Sequence, residues 1–173
     1  MTPNPFHGDV VAGQARGAGP TAGIGPGALV RTLHGDRAVE TLGPGDQIIT
    51  SDGRKARLDA ITCHIAPARM LCRISPKTQT NARAHAGPVI LSNHQHVMVE
   101  GWMARAMFGR DQALVPVSAI ADGELIRRMD LDAELPLFQL HFYAPQLVCV
   151  GGLTVLATPA RQPATVAARY PAS

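Results

Sequence analysis

Gly43-Pro44-Gly45-Asp46-Gln47-Ile48-Ile49-Thr50-Ser51-Asp52-Gly53-Arg54 is the stretch whose reading decides the fold class. A Gly-Pro-Gly-Asp turn runs directly into the short β-branched segment QIIT, which runs directly into an Asp-Gly turn. That leaves room for a strand and none for a helix. Ser51-Asp52-Gly53-Arg54 therefore reads as a hairpin turn. The same pattern extends in both directions. Upstream, residues 28–33 (ALVRTL) read as a strand, His34-Gly35-Asp36 as a turn and residues 38–42 as a further strand. Downstream, residues 58–65, 70–74, 89–91, 96–99, 113–115, 138–143, 147–150 and 153–156 read as strands, and residues 76–87 as a polar loop. Residues 117–121 read as one helical turn, and two segments, 102–108 and 122–129, carry helical alternatives. The expectation is an all-β, mainly antiparallel domain of short strands with one or two short helices. Strands this short and this closely spaced suit an irregular sandwich or barrel-like fold and do not suit βαβ units.

Composition agrees with one folded unit. The 173 residues suit a single domain, and 46% hydrophobic against 17% charged residues is too apolar for general disorder. Aromatics make up only 4%, so Val, Ile, Leu and Met must fill the core. A net charge of +3 with scattered Arg residues gives no basic stripe interleaved with aromatics, which excludes a nucleic-acid partner. Cys63, Cys72 and Cys149 are odd in number and form no Cys-x-x-Cys pair, so neither a disulfide framework nor a thiolate zinc site is expected. A bond between Cys63 and Cys72 stays open. No apolar run approaches the ~20 residues of a membrane-spanning helix. The start lacks the basic-then-apolar order of a secretory signal, so a cytoplasmic location is the default, with export within a longer parent left open. Residues 1–22 read as a flexible leader and residues 159–173 as a flexible tail, both rich in Ala and Pro.

The order of segments resembles the Hint (Hedgehog/intein) domains, in particular a bacterial Hint-type domain. Gly23-Ile24-Gly25-Pro26-Gly27-Ala28-Leu29-Val30 is similar to the family's opening Cys-Phe-x-Pro-Gly-Thr-x-Ile. Gly35 to Leu42 resembles its G-x-x-x-V-E-x-L strand, and Gly43 to Thr50 its x-x-G-D-x-V-x-T turn and strand. Asn93-His94-Gln95-His96 resembles its S/T-P-x-H block, Ala113 to Ile120 its L-V-P-A-x-A-L block, and Val150-Gly151-Gly152-Leu153 its A-E-G-L ending. The resemblance implies a horseshoe of short antiparallel strands over residues 23–158. It also implies an intramolecular acyl shift, in which a first-position Cys or Ser attacks the preceding carbonyl, the block histidine assists breakdown of the scissile amide, and a second nucleophile resolves the ester. It implies no cofactor.

This chain departs from that pattern where the chemistry lies. The first position is Gly23, which has no side chain to attack with. Thr21, the nearest hydroxyl, sits two residues away, ~6.6 Å along an extended chain. The family's Ser or Thr falls on Asn93, with Ser92 one residue early and on the opposite face of a strand. The later block with acidic and histidine residues corresponds to Tyr143-Ala144-Pro145-Gln146, which holds neither. His96 alone survives. The expectation is a Hint-like domain with degenerate catalytic motifs that no longer cleaves itself and serves as a structural or peptide-binding module. In that role its partner would be an extended peptide, added as a strand, or a flanking protein segment. The alternative is an active autoprocessing domain using Thr21 or an internal cysteine, assisted by His96.

Other sharp readings yield to plainer ones. His94 and His96, one residue apart, would share a strand face and could hold a metal if His64, His85, His141 or Cys63 converged on them. A turn residue and a relic of the processing site are the preferred readings, and no metal is expected. Asp36, Asp46 and Asp52 each adjoin Gly and read as turn chemistry. The acidic run Glu124, Asp130, Asp132 and Glu134 reads as a solvated face. Trp102, with Met103, Met107 and Phe108, reads as a core anchor, with a peptide-docking surface as the alternative.

Overall fold

A computed structural model describes residues 22–75 and 87–157. The Asp-Gly hairpin forms as the sequence predicts. β3 (Gln47–Ile49) turns back on β4 (Lys55–Arg57), with Ile48 opposite Ala56. The Thr50 hydroxyl binds the Asp52 carboxylate inside the turn. β1 (Leu29–Thr32) pairs with β2 (Gly35–Ala38) on one side and with β3 on the other. β12 (Gln146–Val150) and β13 (Leu153–Ala157) form another hairpin, closed by Gly151 and Gly152 at φ 54° and 82°. Two consecutive positive φ angles match the twist of a two-residue hairpin, and only glycine adopts them without strain. β8 (His96–Glu100) and β9 (Gln112–Pro116) complete an eight-stranded sheet in the order β4-β3-β1-β12-β13-β8-β9, with β2 lying on β1. Every pairing is antiparallel, and the sheet curls around one core.

Two smaller sheets flank it. β10 (Ile126–Arg128), β6 (Leu71–Ile74) and β7 (Val89–Ser92) form one, and β5 (Ala60–Pro67) with β11 (Glu134–His141) forms the other. Ile24 bridges them, pairing with Leu91 of β7 on one edge and Phe138 of β11 on the other. The main core is aliphatic, including Ile24, Val30, Ile48, Leu58, Leu91, Val115, Val148 and Val155. Phe142 is the one aromatic among its fully buried members, as the composition requires. A second cluster of Ala66, Leu71 and Leu137 lies between the small sheets, with Ile90, Met129 and Leu135 against it.

Three expectations are corrected. Residues 38–42 do not form a strand: the strand is β2, which takes in Gly35 and Asp36 of the expected turn and ends at Ala38, and Val39–Thr41 closes into a 3-10 turn. Residues 122–129 are not helical. One carboxylate oxygen of Asp122 accepts hydrogen bonds from the backbone N–H groups of Glu124, Leu125 and Ile126 at 2.8, 2.8 and 2.9 Å. This local closure competes with a helix, and the strand β10 begins at Ile126. Trp102 is not a core anchor. The helix α1 (Gly101–Phe108) exists, but Trp102 is 77% exposed. Ala104 and Phe108, one helical turn apart, take the inward face, so Trp102, Met103 and Met107 fall on the outward arc. Residues 117–121 match a short 3-10 turn over Val117–Ile120. No helix among the described residues is long and apolar enough to cross a membrane.

Two outcomes follow. Ile24→Ala removes the only side chain that the bridging segment sends into the core, and should lower unfolding free energy by about 2–5 kcal/mol in a denaturant titration. The three N–H donors hold the Asp122 carboxyl below its ordinary range. Its contribution is therefore present above the unfolded carboxyl pKa and is lost as pH falls through the lower folded value. Asp122→Ala should flatten the acid limb of a stability–pH curve, read by thermal melts between neutral and strongly acidic pH.

Candidate functional site

The site is built on the segment 22–25. Gly23 and Gly25 have no β-carbon, so the segment can pass as a strand through a narrow slot. The Ile24 N–H donates to the Phe138 carbonyl and the Phe138 N–H returns to the Ile24 carbonyl, both at 2.8 Å. On the other edge the Gly25 N–H donates to Ile90 at 2.7 Å and the Ser92 N–H donates to the Gly23 carbonyl at 3.0 Å. Ile24 faces the main core, and the two glycines face the second cluster. A β-carbon on Gly23 would lie 2.9 Å from Leu137 Cβ, and one on Gly25 2.7 Å from Ile90 Cβ. Both are closer than carbon atoms pack, so the slot has no room for side chains at 23 or 25.

One further contact fixes the entry to the slot. The Gln139 side-chain amide donates to the Ala22 carbonyl at 2.6 Å. Gln139 is half-buried on β11, across from Thr62, whose hydroxyl is engaged with His141 Nε2 at 2.8 Å. The carbonyl immediately before Gly23 is thus held by a directed donor.

The corner between β7 and β8 closes the site. Ser92 is buried beside Gly23, and its hydroxyl accepts from the His94 N–H at 3.2 Å. Asn93 is buried and turned the other way. Its side-chain oxygen accepts from the Cys72 thiol at 2.9 Å, and its backbone bonds Met70 and Ser118. Gln95 is buried and donates to the carbonyls of His96 and Leu156 at 3.1 and 2.7 Å, tying the corner to β13. His94 is exposed in the turn, whereas His96 opens β8 opposite Pro116. The two histidines therefore do not lie on one strand.

Thr21 and His85 lie outside the described residues. His64 sits opposite Leu137 in the β5–β11 ribbon, and Cys63 opposite Phe138. Among the described residues no group of three or more His, Cys, Asp or Glu side chains is placed to hold a metal ion. All three cysteines are free thiols, Cys63 exposed and Cys72 buried.

With this geometry in hand, the comparison with known families is direct. The sequence profile of the Hint domain matches residues 23–156. The chain belongs to the Hint domain family. Solved structures similar to this Hint domain include the MchDnaB-1 intein (N145AA), at 15% identity and a TM-score of 0.49 over 78% of this chain and 98% of that one. A bacterial intein-like domain from Clostridium thermocellum matches at 11% identity and a TM-score of 0.45 over 79% and 97%. A splice-inactive variant of the AceL NrdHF class 3 split intein matches at 12% identity and 0.49 over 80% and 98%. No curated protein sequence matches the chain.

Gln139, Gln95 and Cys72 make hydrogen bonds around this segment and corner that the sequence reading did not anticipate. Gln139 and Gln95 are polar residues inside or beside apolar strand runs, which is the only signal they carry. Cys72 carried none, since a buried cysteine reads as a small hydrophobe.

The thiols supply a direct check on this placement. Burial pushes the Cys72 and Cys149 thiols above their ordinary pKa, which lowers the thiolate fraction at neutral pH. Native protein treated with iodoacetamide should be alkylated at Cys63 alone, with Cys72 and Cys149 reacting only in denaturant, as read by peptide mass spectrometry.

Proposed function

We propose that this Hint domain does not cleave itself and works as a structural module whose strand slot is filled by its own first residues. The domain proper runs over residues 23–158, between a leader of residues 1–22 and a tail of residues 159–173. The observation that carries the reading is how closely Leu137 packs on Gly23: a β-carbon placed there would lie 2.9 Å from Leu137 Cβ. An acyl shift needs a nucleophile on the first residue. Here the nucleophile is missing, and the volume that its side chain would take is filled by the second cluster. His96, Asn93 and Thr21 are then vestiges of a catalytic set without a reactant at its centre.

The place expected for an extended partner is, in this reading, taken by the chain's own residues 22–25. Residues 22–25 satisfy the facing edges of β7 and β11, using the backbone pairing by which a docked peptide would add a strand. An added peptide would have to displace the chain's own covalently attached strand.

The intact mass of the purified full chain tests this. A single full-length mass, unchanged after long incubation with dithiothreitol or hydroxylamine, is expected. New termini between residues 21 and 24 would instead establish the autoprocessing alternative through Thr21. Restoring the nucleophile alone should fail: Gly23→Cys is overpacked against Leu137, should lose roughly 1–3 kcal/mol of stability, and should stay uncleaved. Gly23→Cys combined with Leu137→Ala opens the space and is the variant in which thiol-dependent cleavage is to be sought.

A further inference from the structure

We propose that Gln139 is a positioning residue for the peptide bond that enters the domain, holding the carbonyl of residue 22 in place whatever side chain residue 22 carries. The inference rests on the assignment of residue 23 as the first residue of the Hint domain, which makes the Ala22 carbonyl the acyl group on which the family's shift would act.

Three observations carry it. First, an uninterrupted antiparallel ladder would continue from the Ile24–Phe138 pair to give the Ala22 carbonyl to the N–H of residue 140. Instead the side chain of Gln139 holds that carbonyl at 2.6 Å, so Ala22 leaves the ladder at a defined point. Second, the orientation of the amide is fixed by its partner, because a carbonyl only accepts and the donating nitrogen must face it. Third, the neighbours remove competition. Thr62, across the ribbon from Gln139, is engaged with His141, and the Gly23 carbonyl is taken by Ser92. The contact involves only backbone atoms of residue 22, so it reads no side chain. A donor at this point polarises the carbonyl along the direction in which an oxyanion would develop. The electrophilic half of the site is thus organised, whereas the nucleophilic half is missing at Gly23.

Triple-resonance NMR on the labelled full chain tests the inference, because the Gly23 N–H reports the Ala22 carbonyl carbon. In the wild-type protein a cross-hydrogen-bond correlation from the Gln139 side-chain amide to that carbonyl is expected, and its absence would overturn the proposal. Gln139→Leu should move the Ala22 carbonyl resonance upfield while leaving the other carbonyls of the β5–β11 ribbon in place. Gln139→Glu should show the same displacement at neutral pH and recover as pH falls through the carboxyl range, where the protonated acid donates again. A packing role alone would produce no such titration. An unmoved resonance in either folded variant sinks the idea. Failure of the inactive reading is seen separately, in the intact mass of the wild-type chain. If that chain cleaves, slower cleavage in Gln139→Leu at unchanged stability upholds the positioning role, and an equal rate refutes it.

Discussion

The structure depends on the segment 22–25 being hydrogen-bonded into two sheets at once. β7 and β11 each present an edge toward the other, and an unpaired strand edge is costly to bury and adhesive when exposed. The segment 22–25 removes both edges. Its backbone serves β11 through Ile24 and β7 through Gly23 and Gly25, while the Ile24 side chain enters the main core. The small sheets are thereby joined to each other and to the large curled sheet by four consecutive residues.

That constraint explains the character of the site. A strand lying between two packed clusters must send one face into each. The main core accepts Ile24, but the second cluster already contains Leu137 and Ile90 at the positions facing residues 23 and 25. Glycine is the residue that satisfies backbone pairing on both edges while placing nothing on the crowded face. The absence of a side chain at position 23 and the close packing of the second cluster are two sides of one arrangement. Neither can be reversed without changing the other.

The buried polar groups around this segment follow the rule that such groups are kept only when paired. Asn93 bonds Cys72 and the backbone of Met70 and Ser118, and holds the corner together. Gln95 likewise ties the β7–β8 corner to the end of β13. Both residues thus act as cross-links between strands. Helix α1 is organised the opposite way. It buries little more than Ala104 and Phe108 against β8 and β9 and leaves Trp102 to solvent.

Local chemistry in the sequence was enough for the all-β class, the Asp-Gly hairpin and the short 3-10 turn after Pro116. Each depends on backbone preferences of adjacent residues, which a linear reading sees. Gly23 and His96 were singled out only through the resemblance to the family's sequence blocks. The turn at Asp122 was misjudged because one carboxylate collects three N–H groups, a choice that helical periodicity does not reveal. The exposure of Trp102, the slot walls at Leu137 and Ile90, and the hold of Gln139 on the Ala22 carbonyl were decided only by the tertiary structure. Gln139 and Ala22 lie 117 residues apart, and their contact depends on how two sheets meet across a strand. Propensity and periodicity act over a few residues, whereas the room at position 23 depends on a side chain more than a hundred residues away.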